Sequence, residues 1–184
     1  MKISASKNII VIPNVEKDRK AVEFKLINGV LRFKGKAYSG VVNEFYVGGS
    51  LKTASEYGQG KRQGFYRGWY ANGKKWFERF YTKGLKSQVH RGWYANGNQM
   101  FEYHFNSNGR YDGSVKEWHT DGTLAQHFNF VDGVEDGHQR MWNLSGKITA
   151  NFFTVNNDRH GLIGLKKCVS VVHKNELKLS LIHI

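Results

Sequence analysis

The chain has 184 residues, enough for one ordinary domain, and its 28 Lys and Arg against 15 acids give a formal charge of +13. That balance favours acidic partners, whether nucleic acid, an anionic membrane surface or an acidic protein, beside the plainer outcome of a basic chain kept dispersed by its charge. A single cysteine, Cys168, excludes an internal disulfide and a cysteine-built zinc site, and no apolar run is long enough to span a bilayer.

Residues 1–26 form a lead-in. Its opening, MKISASKNIIVIP, carries a short apolar run within NIIVI, too short for a signal-peptide core, so the cytoplasm is the default expectation and the cell envelope stays open. Residues 27–168 are organised differently. The heptapeptide RGWYANG occurs at Arg67–Gly73 and again at Arg91–Gly97, a spacing of 24 residues. The period extends in both directions, with units starting at Gly40, Gly64, Gln88, Gly113 and Gly137. The sixth position is then Phe45, Trp69, Trp93, Trp118 and Trp142. The tenth is Gly49, Gly73, Gly97, Gly122 and Gly146, and the eighteenth is Tyr57, Tyr81, Phe105, Phe130 and Thr154. One extra residue falls within Asn106–Asp112. Gly161 opens a sixth unit whose aromatic does not follow. Such columns at one period mark a repeat architecture.

Each unit reads as a β-hairpin. Asn72-Gly73, Asn96-Gly97 and Asp121-Gly122 suit type I′ turns, which need positive φ at both central residues. A second Gly-bearing loop, such as Lys83-Gly84 or Asp132-Gly133, leads to the next hairpin. Aromatics at 14%, 21 Gly and a single Pro fit many strands joined by tight turns, and no helical apolar stripe is found. The expected fold is all-β: an elongated, curved antiparallel β-meander of about five 24-residue hairpins, roughly ten strands, with two short strands added before them. A two-residue turn sets Trp69 opposite Trp76, Tyr70 opposite Lys75, Arg67 opposite Glu78, Trp93 opposite Met100 and Arg91 opposite Glu102. The repeated opposite charges support that register.

One face then carries Phe77 and Tyr81, Phe101 and Phe105, Phe128 and Phe130, Ile148 and Phe152, and is the better core. The other carries Phe45, Trp69, Trp93, Trp118 and Trp142, with Arg67, Arg91, Lys116 and Arg140 two positions earlier in their units. Equivalent residues of neighbouring hairpins stand about 9.6 Å apart, two strand spacings. The candidate binding residues are therefore Arg67, Trp69, Arg91, Trp93, Lys116, Trp118, Arg140 and Trp142. The competing reading is structural: the Trp rings stack into a thin second core.

The pattern G-x-x-x-G-W-Y-x-N-G-K-x-x-x-E-x-x-Y-x-x-G, read from Gly64 to Gly84, resembles the MORN-repeat variant, and most of all the YwqK-type family, whose bacterial members are often labelled toxin–antitoxin system antitoxins. The resemblance covers roughly residues 27–168. GVLRFKGKAYSG at Gly29–Gly40 looks like the family's lead-in, and GLIGLKKC at Gly161–Cys168 like a closing segment. It implies a curved β-meander that binds proteins or membrane lipid. The unit at Gly137 departs from the pattern, with Thr154 for the aromatic and Asn157 for the loop Gly, and reads as a terminal cap.

Residues 169–184 form a tail. Its end, LSLIHI at Leu179–Ile184, is what the transposon mosaic end of sequencing libraries encodes in this frame, so it is expected to be foreign.

Eight His, at 90, 104, 119, 127, 138, 160, 173 and 183, show no metal spacing, and Glu78 and Glu102 read as partners of Arg67 and Arg91 rather than a catalytic pair. No nucleophile elbow or phosphate loop occurs. No enzyme, cofactor, metal or small-molecule substrate is expected. The expectation is a non-catalytic, antitoxin-like scaffold for protein–protein interaction. The alternatives are peripheral binding to anionic lipid, and single-stranded nucleic-acid binding through Trp and Arg, which the resemblance does not favour.

Overall fold

A computed structural model describes residues 12–163 apart from Asn14. Cys168, most of the closing segment and the tail with Leu179–Ile184 lie outside the described residues. Sixteen strands follow one another: β1 (Glu16–Asp18), β2 (Phe24–Ile27), β3 (Val30–Phe33), β4 (Lys36–Ala37), β5 (Gly40–Phe45), β6 (Leu51–Gly58), β7 (Lys61–Trp69) and β8 (Lys75–Thr82), then β9 (Leu85–Trp93), β10 (Gln99–Phe105), β11 (Tyr111–Trp118), β12 (Leu124–Val131), β13 (Val134–Glu135), β14 (Gly137–Trp142), β15 (Ile148–Val155) and β16 (Asp158–Leu162). The described residues contain no helix, and so none long and apolar enough to cross a membrane.

From β5 to β16 the strands pair in chain order, with β13 beside β12, as an open antiparallel meander. Each strand finds its partner within the next dozen or so residues, so the architecture is built from local hairpin closures. The beginning is richer than the two extra strands expected. Four short strands precede Gly40: β1 runs parallel to β5, while β2, β3 and β4 form a separate three-stranded sheet. Phe24, Leu31, Tyr38 and Val42 are buried together, packed against Ala21, Phe33 and Tyr57. The Tyr38 hydroxyl reaches the carbonyl oxygens of Val15 and Val41 at 2.9 and 3.0 Å, tying the lead-in to the first hairpin.

The turns correct the sequence reading. At Asn72-Gly73 only Gly73 has positive φ, +80°. Gly73 N–H donates to the Tyr70 carbonyl and Tyr70 N–H to the Lys74 carbonyl, both at 2.9 Å. This is a three-residue loop, Ala71–Gly73: a type I turn closed by one left-handed residue. Asn96-Gly97 and Asp121-Gly122 repeat it, with Tyr94 and His119 in the place of Tyr70. The type I′ turns lie at the opposite ends of the hairpins, where both loop residues have positive φ: Gln59-Gly60, Lys83-Gly84, Asp132-Gly133 and Asn156-Asn157. The last unit therefore departs in sequence but keeps the geometry, because Asn tolerates the left-handed region.

The register corrects with the turns. Trp69 pairs with Lys75, not Trp76; Tyr70 meets Lys74, not Lys75; and Trp93 pairs with Gln99, not Met100. One step further from the turn, a bulge on the returning strand inserts an extra residue, and Arg67 then faces Glu78 and Arg91 faces Glu102 as expected. The same shift recurs in all five hairpins, between Glu44 and Phe45, Gly68 and Trp69, Glu117 and Trp118, Met141 and Trp142, and between Gln99 and Phe101.

Phe77, Tyr81, Phe105 and Phe152 are buried on one face, as expected. Ile148 is not among them: it pairs with Trp142 ahead of the bulge and stands exposed on the opposite side, while Ala150, Phe152 and Thr154 fill the core. Gly68 and Gly92 belong to this packing. A Cβ on Gly68 would sit 2.4 Å from the Phe77 ring, and one on Gly92 2.1 Å from the Phe101 ring. Each glycine is the floor on which the facing phenylalanine lies, which explains the Gly within RGWYANG.

Candidate binding face

The face opposite the aromatic core carries a single transverse row, one residue from each strand of the main path. Strand by strand it reads Asp18, Asn43, Ala54, Arg67, Glu78, Arg91, Glu102, Lys116, His127, Arg140, Asn151 and Leu162. The four basic residues singled out from sequence all lie in it. They are not equivalent. Arg67 Nε donates to Glu78 Oε2 at 2.9 Å and Arg91 Nε to Glu102 Oε2 at 2.8 Å. Burial opposes ionisation of both carboxyls, but their hydrogen bonds outweigh it: Arg67 and Lys75 at Glu78, His104 and Arg91 at Glu102. Both are held below the ordinary carboxylate value.

Past Glu102 the alternation of sign ends. Lys116, His127 and Arg140 follow with no acid between them. Among the described residues, neither Lys116 nor Arg140 takes part in an ion pair. Arg140 Nε meets only the neutral Asn151 Oδ1, at 3.4 Å. Burial together with the charges of Lys116 and Arg140 pushes the His127 pKa down. The imidazole thus gives up its proton more readily than an ordinary histidine, first through burial and then through the two cations that flank it.

Two positions along each first strand stand Trp69, Trp93, Trp118 and Trp142, on the same side as the row. All four are half-buried. They do not stack on one another. A residue of the intervening strand pairs beside each: Lys75 by Trp69, Gln99 by Trp93, Leu124 by Trp118. Lys75 Nζ lies 5.0 Å from the Trp93 ring centroid. The rings therefore stand apart as separate half-buried plates and do not stack into a continuous ladder.

A further column escaped the sequence reading. The residues after Phe45, Trp69, Trp93 and Trp118 are Tyr46, Tyr70, Tyr94 and His119. The Tyr46, Tyr70 and Tyr94 hydroxyls donate to the carbonyl oxygens of Trp69, Trp93 and Trp118 at 2.9, 2.7 and 2.7 Å, and His119 Nε2 lies 3.1 Å from that of Trp142. Each hairpin is thereby pinned to the next at its Trp. The signal was visible: a Tyr follows the sixth-position aromatic in the first three units, at Phe45, Trp69 and Trp93, and His replaces it after Trp118.

The remaining chemistry-bearing residues are absorbed by the fold. His90 is 3% exposed on the aromatic side, its Nε2 2.8 Å from the Phe80 carbonyl oxygen, its ring 4.6 Å from Phe105 and 5.3 Å from Tyr81. Burial, reinforced by Arg79 and Lys86, brings its pKa down to about 4. Its counterpart in the last unit is Gln139, fully buried, whose amide closes onto the backbone N–H and carbonyl of Asn129, both at 2.9 Å. Both residues supply hydrogen bonds to the backbone, His90 beside the irregularity between Glu78 and Phe80, and Gln139 where β12 passes from β13 to β14, so that backbone groups left out of the ladder are satisfied. Tyr103 donates to Glu117 Oε1 at 2.5 Å; burial and that carboxylate raise its pKa. Among the described residues no three His, Cys, Asp or Glu converge as metal ligands would.

A comparison with protein-family models finds no match, and a comparison with curated proteins finds none either.

Proposed function

We propose that this chain is a non-catalytic binding scaffold whose Trp-bearing face docks an acidic partner protein. The observation that carries the reading is the set of Trp plates left half-exposed beside a basic row on an open single sheet. Flat aromatics with a polar rim supply contact area at small entropic cost, and the chain's +13 charge steers acidic surfaces toward it. The resemblance to the MORN-variant repeats of the YwqK-type family adds an antitoxin-like role to the proposal, with the partner in the place of the toxin.

The test is capture from native lysate, with crosslinking and mass spectrometry, at low and high salt. Wild type is compared with Arg91→Glu/Arg140→Glu. The double variant is expected to fold and to lose the acidic partner in a salt-sensitive way. Equal recovery at both salt concentrations would reduce the face to a solvated surface. Sedimentation with anionic vesicles, in place of protein capture, would favour the lipid-binding alternative.

A further inference from the structure

The transverse row divides the face into two unlike halves. In β7 to β10 the cations are matched: Arg67 with Glu78, Arg91 with Glu102, at contact distance. In β11, β12 and β14 they are not. Lys116, His127 and Arg140 are direct register neighbours on consecutive strands of the path. Their α-carbons span about 9.6 Å, two strand spacings. Trp118 and Trp142 stand two positions along β11 and β14 on the same side. Net attraction for an anion is therefore concentrated in the second half of the face.

We propose that Lys116, His127 and Arg140 form the seat for an extended acidic segment of the partner protein. The inference rests on the reading of this face as a docking surface and narrows it to three residues. Side chains on one side of an extended strand recur about every 6.8 Å. Two carboxylates at alternate positions of such a segment can thus bridge Lys116 to His127 and His127 to Arg140.

His127 gives the seat a dependence on pH. The groups facing it are Lys116 from β11 and Arg140 from β14. Glu102 lies beyond Lys116 on β10, Asn151 beyond Arg140 on β15, and His138 lies two residues from Arg140 along β14. Both immediate neighbours are cations, and they oppose protonation of the free imidazole. A carboxylate laid between them reverses that local field, so binding takes up a proton and is tighter in mild acid.

The test uses the full chain and a synthetic decapeptide of alternating Glu and Ser, with affinity measured by calorimetry at pH 7.5 and 5.5. Lys116→Gln/Arg140→Gln is expected to weaken binding at least tenfold, and Lys116→Arg/Arg140→Lys to restore it to within about threefold. Arg67→Gln/Glu78→Gln, which removes a matched pair of the same face, is expected to weaken it clearly less than Lys116→Gln/Arg140→Gln does. Wild type should bind several-fold tighter at pH 5.5, and His127→Gln should lose that gain. If removing the matched pair weakens binding as much as removing Lys116 and Arg140, the seat is misplaced while the docking face stands. A pH gain that survives in His127→Gln overturns the role of His127. A peptide that fails to bind while vesicles containing phosphatidylserine sediment the chain, or failure with both probes, overturns the seat and the docking reading together.

Discussion

The hydroxyl of Tyr70 donates to the carbonyl oxygen of Trp93 at 2.7 Å, joining a residue at the tip of one hairpin to the last residue of the first strand in the next. The ladder between β8 and β9 ends at Phe77 and Gly92, and this side-chain bond joins the two hairpins beyond it. Its repetition by Tyr46 and Tyr94 makes it a device of the repeat. Tyr70→Phe keeps the ring and removes one hydrogen bond, with an expected cost of about 1 kcal/mol. Tyr46→Phe, Tyr70→Phe and Tyr94→Phe combined should cost about 3 kcal/mol, read as the shift in urea midpoint. A triple variant as stable as wild type would mean that water satisfies the Trp carbonyls as well as the tyrosines do.

Two glycines of the same heptapeptide serve different ends and should respond differently. Gly73 has φ of +80° and open space around its missing Cβ, so only backbone strain opposes a side chain there. Gly73→Asn should be tolerated within about 1 kcal/mol, whereas Gly73→Val should cost more than about 1 kcal/mol, since a β-branched residue resists positive φ. Gly92 has no positive φ, but a Cβ there would lie 2.1 Å from the Phe101 ring. Gly92→Ala should therefore cost about 2 kcal/mol or more through overpacking, and Phe101→Leu in the same chain should recover part of it. Denaturant titration of the four variants checks the contrast. An alanine at 92 no worse than an asparagine at 73 would remove the packing account.

The period, the hairpins and the pairing of Arg67 with Glu78 could all be read from sequence, because side-chain columns repeat every 24 residues. The turn type could not. A two-residue turn at Asn72-Gly73 with regular strands puts Arg67 opposite Glu78. So does a three-residue turn followed by one bulged residue. Beyond the bulge the two solutions share every pair, so the charge pattern that supported the register was blind to the choice. The type I′ turns were overlooked for a related reason. Lys83 and Gln59 hold φ of +51°, a region in which side chains of their kind are uncommon, and local propensity gave no warning. Of the candidate face, the Arg and Trp columns were legible as columns. That His127 stands between Lys116 and Arg140 required the pairing of β12 with β14 across the loop containing β13, which periodicity does not specify.

The matched pairs themselves should contribute little to stability. The Arg67 and Glu78 side chains remain 36% and 26% exposed, where water screens the attraction and ordering two long chains offsets it. Arg67→Gln/Glu78→Gln is expected to change the unfolding free energy by less than about 1 kcal/mol. A larger loss in thermal or urea unfolding would show that the row holds the strands together rather than decorating them.

His90 should set the response of the fold to mild acid. It is buried and neutral, its Nε2–H directed at the Phe80 carbonyl, and its pKa is brought down from 6.5 to about 4. The unfolded chain therefore takes up a proton at this residue that the folded chain refuses. Stability is fully present above about pH 6.5 and is lost as pH falls from there toward about 4, by about 3 kcal/mol in all. Glu78 and Glu102 act in a lower window, below the ordinary carboxylate value, because their pKa values are depressed. The repeat supplies the control. Gln139 occupies the equivalent position in the last unit and donates to the Asn129 carbonyl as His90 does to that of Phe80, without a titrating proton. His90→Gln is therefore expected to lose about 1 kcal/mol at pH 7, through weaker packing against Tyr81 and Phe105, and to remove most of the fall between pH 6.5 and 4.5. Urea titrations of both proteins at pH 7 and pH 4.5 give the comparison. A His90→Gln protein that falls as steeply as wild type would place the acid sensitivity elsewhere, with His127 the next residue to replace, since its pKa is depressed in the same direction.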